Sequence, residues 1–524
     1  MLAVSDQSRY PAFTEDRIIE IDTDRVLKRQ QHHFGVIDVG SNSVRLVVYD
    51  DLSRSPFPRF NEKSLCALGA GLSETGRLAD DAIDRTVRTI QRLVAIARAM
   101  EVENLDVIAT EATRRASNGA DLLNAIRNAT GLETIVLSGQ EEATYAALGV
   151  ISGFFKPKGL VGDIGGGSLE VSEIISDRVG DRMASMPLGA LPVKALMENS
   201  YAEAKTTIDE ILRDNLPPLL TDPVLYAVGG GWRALARVHI AMNERPISVV
   251  HGYELAADEA RELAKKIAKM SPDEVASLPD APSRRIETLP AAALVMFRVL
   301  KILKPERVVF SAFGLREGWL YAKLDRDEQY LDPLLEGAKS IGIPTARVPA
   351  FSAALARWTD GLFPGESQSD RRLRLTVCAL TDMAWRDHAK VRAQESFLRL
   401  LQFPFIGLTH PERAFIAVAV MTRYGGKVDD SVRAIVNNLL SDSQIRRAEI
   451  LGHSLLLGHR FSASVPEILE QGRLRIEVDS VRLEVLKSSR APDSASVNSR
   501  LQKLAKVTGV ERVEIVEIDD LVKD

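Results

Sequence analysis

Residues 38–46, Asp-Val-Gly-Ser-Asn-Ser-Val-Arg-Leu, and residues 163–171, Asp-Ile-Gly-Gly-Gly-Ser-Leu-Glu-Val, are two versions of one pattern. Aspartate falls on aspartate, Gly40 on Gly165 and Ser43 on Ser168, and the flanking apolar positions coincide. An apolar run ending in an acid, a short turn of glycine and serine, and renewed apolar alternation predict strand, tight turn, strand. In such a turn several backbone N–H groups can converge on one anion, and glycine lets the ligand come close. One turn of this kind is an ordinary hairpin. Two of them predict related half-molecules that face a cleft.

The second copy places Glu170 on the strand leaving the turn that Asp163 enters, so both carboxylates can face one cavity, where they suit a hard divalent cation. Asp38 holds the equivalent place in the first copy and is the third candidate ligand. Arg45 stands where the second copy has Glu170, and offers a cation to the substrate instead. Gly40, Ser41, Asn42, Ser43, Gly165, Gly166, Gly167 and Ser168 form the candidate phosphate cradle, with Ser41 and Asn42 adding side-chain donors.

At 524 residues and 45% hydrophobic, the chain has material for three or four domains. Its net charge of −5 argues against a general nucleic-acid or membrane binder, so a polyanionic substrate must be met by a local basic cleft. Cys66 and Cys378 are the only cysteines, which excludes a disulfide framework or a cysteine zinc site and suits the cytoplasm. Residues 1–33 lack an apolar core of the secretory type and read as a mobile extension with no membrane span.

Four further segments follow: an α/β half over 34–153, a second over 154–325, a helical region over 326–460 and a small α+β end over 461–524. Within the first half, Ile83, Val87, Ile90, Val94 and Ala97 recur at helical spacing behind an Asp80 cap, and Leu105–Thr110 is a buried strand. That strand runs into Glu111-Ala-Thr-Arg-Arg, so Arg114 lies at a strand exit, where α/β ligand sites collect, and is a candidate phosphate clamp. Ser138-Gly-Gln-Glu-Glu opens a helix with two acids in its first turn. Acids there complement the helix dipole, but one could also accept a proton from a water lined up on a phosphoryl group, and spacing does not choose between Glu141 and Glu142. In the second half, Val224–Val228 leads into Gly229-Gly230-Gly-Trp-Arg, a third glycine turn capping a helix. Trp232 is assigned to the core.

The two repeat motifs, together with Ala-Thr-Glu-Ala-Thr-Arg-Arg-Ala-Ser-Asn at 109–118, Ser-Gly-Gln-Glu-Glu-Ala at 138–143 and Ser-Ala-Phe-Gly-Leu-Arg-Glu-Gly at 311–318, resemble the exopolyphosphatase and guanosine-pentaphosphate phosphohydrolase family. The resemblance covers about residues 34–325 and implies duplicated actin-like ATPase domains of ribonuclease H-like fold. It implies Glu142 as the base for water, with Glu141 in reserve, and Arg114 on phosphate. It also implies Asp163 and Glu170 on an essential Mg²⁺ or on the attacking water, and both glycine turns, with Asn42 and Ser43, on phosphoryl oxygens. Residues 326–524 resemble the carboxy-terminal region of long family members, whose helical domain is similar to His-Asp phosphohydrolases. Here Thr381 stands where the metal-binding histidine of that pair would sit, so the domain is expected to lack a metal centre and to lengthen a substrate channel or make a homodimer contact.

The implied activity is Mg²⁺-dependent removal of terminal orthophosphate from inorganic polyphosphate, or alternatively from guanosine pentaphosphate. A small-molecule kinase on the same fold would need an adenosine pocket and an acid poised for an acceptor hydroxyl. A non-catalytic phosphate sensor would have no use for Glu142, Asp163 and Glu170.

Overall fold

The computed structural model describes residues 21–28, 32–175, 177–216, 224–489 and 494–520. The described residues divide into two compact units: one lies within residues 32–330, and the other comprises residues 21–28 together with the described residues from 331 to 520. Both α/β halves expected from the repeat belong to the first unit.

In the first half, β1 (Phe34–Val39), β2 (Ser43–Tyr49), β3 (Pro58–Leu65), β4 (Asn104–Ala109) and β5 (Thr134–Val136) form a sheet of order β3-β2-β1-β4-β5. In the second, β6 (Gly159–Ile164), β7 (Leu169–Ile175), β8 (Arg178–Met186), β9 (Val224–Val228), β10 (Tyr253–Ala256) and β11 (Arg307–Phe310) form a sheet of order β10-β11-β9-β6-β7-β8. Apart from the added edge strand β10, the two orders are the same. Each begins with an antiparallel hairpin, β1–β2 or β6–β7, and each places a parallel strand, β4 or β9, beside its first strand. The repeat seen in nine residues therefore extends to the topology of whole sheets.

Alternating side chains explain how each sheet is covered. Ile37, Val39, Leu46 and Val48 pack with Ile90, Leu93, Val94 and Ala97 of the helix Asp80–Ala99. Val36 and Val47, one register position away, join the opposite layer with Leu148, Val150 and Ile151 of the helix Gly139–Gly153. Asp80 is the first residue of its helix, and Ala79 occupies the cap position without a side-chain bond, so the expected Asp80 cap is a first-turn acid on the dipole instead. Trp232 is fully buried, lies over Gly162 and donates its indole N–H to the Ala292 carbonyl at 3.0 Å, as a core residue should.

The second unit is helical from the helix Pro333–Thr345 to the helix Asp442–Ser462 and ends in a sheet of β12 (Gly472–Ile476), β13 (Ser480–Leu486) and β14 (Arg512–Ile518), with the helix Ala495–Thr508 as the crossover between the parallel β13 and β14. One expectation needs correcting: within the segment read as a mobile extension, Thr23–Lys28 is a helix that belongs to this unit. Ile21 packs against Leu335 and Leu375, which anchors it. Residues 1–20, also read as extension, lie outside the described residues.

Close backbone approach joins the helix Gly139–Gly153 to the helix Leu315–Lys323. A Cβ on Gly318 would lie 1.8 Å from the Tyr145 carbonyl oxygen, and one on Gly149 would lie 2.2 Å from that of Gly314. Both obstacles are backbone, which cannot swing aside. Gly318→Ala is expected to cost about 2–3 kcal/mol of stability, read as a lowered midpoint in chemical denaturation; an unchanged midpoint would show that the helices can separate freely.

Candidate active site

The three glycine turns lie at the carboxyl ends of β1, β6 and β9, beside the exits of β4 and β11, and line one cleft of about 200 Å³. The first two have the same internal closure: the Gly40 amide donates to the Ser43 carbonyl at 3.1 Å, and the Gly165 amide to the Ser168 carbonyl at 2.9 Å. They also meet each other, since a Cβ on Gly166 would stand 3.4 Å from the Ser41 Cβ. Gly167 faces Glu111 so closely that a Cβ would overlap its carboxylate. Gly229, at φ 97°, is in a conformation that side chains resist, and a Cβ there would press on the Ile164 carbonyl and the Asp163 carboxylate. These glycines permit close contact among the turns themselves.

Hairpin register sets the acids. Asp163 is paired directly with Glu170, as Asp38 is with Arg45, so the single charge difference between the repeats appears at one structural position. Directly opposed residues in an antiparallel pair share a face. Glu170 also pairs with Ser185 on β8, whose hydroxyl donates to it at 2.8 Å. Glu142, on the first turn of its helix, reaches the same cleft and accepts a hydrogen bond from Arg114.

Burial pushes the Glu142 carboxyl up to about 7 against the pull of Arg114, with Asp163 and Asp38 adding to the rise. Burial likewise raises Asp163 to about 6, against Arg233 and Arg316. Glu170 is raised well above its ordinary value by burial and then by Glu142, while Ser168 and Ser185 oppose the rise. Three carboxyls that resist simultaneous ionisation form an acidic pole.

A basic pole lies in the same cleft. Arg45 and Lys63 are direct cross-strand partners on β2 and β3, an arrangement of like charges that costs stability unless an anion joins it. Arg285, Arg233 and Arg316 share the lining. Burial, then Arg285 and Arg45, lower Lys63 to about 7. Burial, then Arg316 and Arg233, lower Arg45 to about 10. Lys63, Arg233, Arg285 and Arg316 join the site only through the fold; Arg233 and Arg316 belong to the third glycine turn and the 311–318 motif, whereas Lys63 and Arg285 carry no local signal.

Not every candidate meets the cleft as expected. Asp38 lines it, but its carboxylate accepts from Arg316 at 2.9 Å, so the expected trio of Asp38, Asp163 and Glu170 is not a converged set. Among the described residues no group of three or more His, Cys, Asp or Glu side chains converges to hold a metal. Arg114 is not part of the lining; its guanidinium is held by Glu142 and the Leu137 carbonyl. Glu141 is a capping residue, accepting from the Ser138 amide at 2.8 Å while the Ser138 hydroxyl accepts from the Glu141 amide. Gly40, Ser41, Asn42, Ser43, Arg45, Gly165, Gly166, Gly167, Ser168, Gly229 and Gly230 all line the cleft with Glu142, Asp163 and Glu170.

Two sheets of one topology, each presenting a glycine turn to a shared cleft, define a duplicated actin-like α/β architecture. Residues 47–327 match the Ppx/GppA phosphatase family, and residues 334–516 match the family described as exopolyphosphatase, C-terminal; the chain belongs to the Ppx/GppA phosphatase family. Exopolyphosphatase 1 of Mycobacterium tuberculosis is 31% identical over 309 residues, covering 56% of this chain and 88% of that protein. Retrograde regulation protein 2 of Saccharomyces cerevisiae is 27% identical over 357 residues, 62% of this chain and 59% of that one. In solved structures, an exopolyphosphatase-like protein shares 22% identity at a TM-score of 0.50, over 56% of this chain and 97% of its own.

The acidic pole makes the site sensitive to pH. A carboxyl raised in the folded state binds its proton more tightly there than in the unfolded chain, so stability falls as pH climbs above the unfolded value of about 4.3. Glu170→Gln removes that loss. Without divalent cations, the variant's Tm is expected to exceed the parent's by on the order of 2 °C or more at pH 8 and to converge on it at pH 5. Calorimetric curves that stay parallel across this range would rule the reading out.

Proposed function

We propose that the cleft hydrolyses terminal phosphoanhydride bonds, releasing orthophosphate from the end of inorganic polyphosphate. The observation that carries this reading is an acidic and a basic pole in one cleft that two neighbouring glycine turns also line. The terminal phosphoryl group sits against the turn amides of Gly165–Ser168 and Gly40–Ser43, with the side chains of Ser41 and Asn42 beside it. The following phosphates extend toward Arg45, Lys63 and Arg285, where their charge offsets the burial and the neighbouring arginines that lower Lys63.

Glu142 accepts a proton from the attacking water. Its raised proton affinity suits that task near neutral pH, and Arg114, in direct contact with the carboxylate, fixes its orientation. The new bond joins the water oxygen to terminal phosphorus. The anhydride bond breaks on the far side, and its electron pair remains with the shortened chain. Arg233 and Arg316 lie where they can offset charge on the phosphoryl oxygens, while Asp38 holds Arg316 in place.

Asp163 and Glu170 fit a divalent cation. They supply adjacent hard oxygen donors, both resist ionisation without a counter-charge, and a site of one or two carboxylates completed by water and substrate oxygens is characteristic of Mg²⁺. Bound there, the metal would neutralise charge on the phosphoryl group. The same reading includes a homodimeric working form and a cytoplasmic location, supported by likeness to the family; no helix among the described residues is long and apolar enough to cross a membrane.

The test is orthophosphate release, with Mg²⁺, from long polyphosphate, short polyphosphate and guanosine pentaphosphate. Glu142→Gln is expected to retain binding and lose on the order of 10²–10⁴ in kcat. Faster turnover of guanosine pentaphosphate than of either polyphosphate would move the assignment to that substrate, and ATP-dependent phosphorylation without orthophosphate release would end it. Lys63 gives a separate check. Because it is charged only below about 7 in the free protein, the KM for polyphosphate should rise with pH above that value. Lys63→Gln should raise KM about tenfold at pH 6.5 with kcat within about threefold, and should abolish the rise attributable to this group.

A further inference from the structure

The C-terminal unit contains a second basic pocket, of about 290 Å³, lined by Arg347, Arg392, Arg423, Arg460 and Arg500. They come from separate places in the chain. Arg347 follows the helix Pro333–Thr345, Arg392 opens the helix Arg392–Gln402 and Arg423 closes the helix His410–Arg423. Arg460 lies in the last turn of the helix Asp442–Ser462, and Arg500 lies within Ala495–Thr508. Convergence from five elements surrounds a single volume, which suits a compact ligand better than a polymer.

Among the described residues, one carboxylate meets this cluster. Asp382, almost fully buried, accepts from Arg347 at 2.9 and 3.1 Å and from Arg423 at 2.8 Å. Among the described residues, Arg392, Arg460 and Arg500 have no carboxylate partner. The Arg392 Nε is buried without a hydrogen-bond acceptor, and its guanidinium lies over the Tyr424 ring at 5.3 Å, beside Arg423 at 4.3 Å from the same ring. His459 adds no charge: burial, then Arg423, Arg347 and Arg460, hold it well below its ordinary value, and its ring bonds to Thr381 and Ser464, each at 2.9 Å. Two helix C-termini near Arg423 and Arg460 contribute roughly half a negative charge each, which leaves the pocket strongly positive. With its aspartate already engaged by two guanidiniums, the pocket disfavours a cation and favours an anion.

We propose that this arginine pocket binds a compact phosphorylated anion, through charge-assisted and bidentate guanidinium contacts to phosphoryl oxygens, at a site separate from the hydrolytic cleft. The shared chemistry is a short run of phosphoryl groups, available from free inorganic phosphates or from the phosphate tail of a nucleotide. The proposal stands whichever substrate the cleft takes.

Calorimetric titration of the full chain in EDTA, with orthophosphate, tripolyphosphate, ATP and long polyphosphate as separate probes, tests it. Tripolyphosphate is expected to fill two classes of site on the parent. Arg392→Gln/Arg460→Gln should lose one class, by about tenfold or more in affinity, while orthophosphate release from polyphosphate stays at the parent level. Arg500→Gln, on a different helix, should weaken the same class, and it keeps the test decisive if the double variant does not fold. Tighter Arg392-dependent binding of ATP than of tripolyphosphate assigns the nucleotide source; equal or weaker binding assigns the inorganic one. An unchanged titration in both variants, or an arginine-dependent class seen only with long polyphosphate, overturns the proposal.

Discussion

The catalytic unit depends on how closely two backbone turns approach each other. A Cβ on Gly166 would already reach van der Waals contact with Ser41, Glu111 fills the place that a Gly167 side chain would need, and Gly229 fits under Asp163 only because it has no Cβ. Glu111 supports this junction from within, accepting from the Ser41 hydroxyl at 3.2 Å and from Arg115 at 2.6 Å. With this spacing, the amides of two turns can address one phosphoryl group. A methyl group at Gly167 would displace Glu111, and one at Gly229 would push the third turn away from Ile164 and Asp163.

The second property of the cleft is electrostatic frustration. Carboxyls raised by burial and by each other lie at one pole, and cations lowered by burial and by each other lie at the opposite one. Pairing the two sets internally would stabilise the free protein but leave little for a substrate. The fold makes that concession at Asp38–Arg316, Glu142–Arg114 and Glu111–Arg115, and among the described residues leaves Asp163 and Glu170 without an arginine or lysine ion pair. A chain of phosphates with a divalent cation, as proposed for this cleft, would neutralise both poles together, so its binding would remove a strain that the protein carries alone.

Sequence carried the fold and half of the site, for a common reason. Strand, turn and helix signals are local, so the repeat at Asp38 and Asp163 and strands such as Val224–Val228 were legible from composition and period. Glu142 and Glu170 were legible because they sit in or beside those motifs. Lys63 was not: it lies on β3 among polar residues, and only its register opposite Arg45 gives it a place in the cleft. Arg285, in the short Ser283–Arg285 turn, depends in the same way on a contact far away in sequence. The helix Thr23–Lys28 was missed because its apolar content is slight and its anchoring partners, Leu335 and Leu375, are remote. Glu141 and Glu142 show where motif reading reaches its limit. They are neighbours in one first turn, yet the capping geometry points one back to Ser138 and leaves the other for the cleft.

Duplication explains why the site is asymmetric although its scaffold is not. Both hairpins present an aspartate at the end of the first strand, and both close through a glycine amide and a serine carbonyl. The paired position on the second strand then differs, Arg45 in one half and Glu170 in the other. A symmetric pair of acids would build a larger metal site with no cationic end for an extended anion, while a symmetric pair of arginines would bind phosphate without supporting a cation. Reversing one charge at one register position gives the cleft a direction, from the acids where a phosphoryl group would react to the bases where the rest of a chain would lie. Gene duplication supplies the shape, and the departure from exact repetition supplies the polarity.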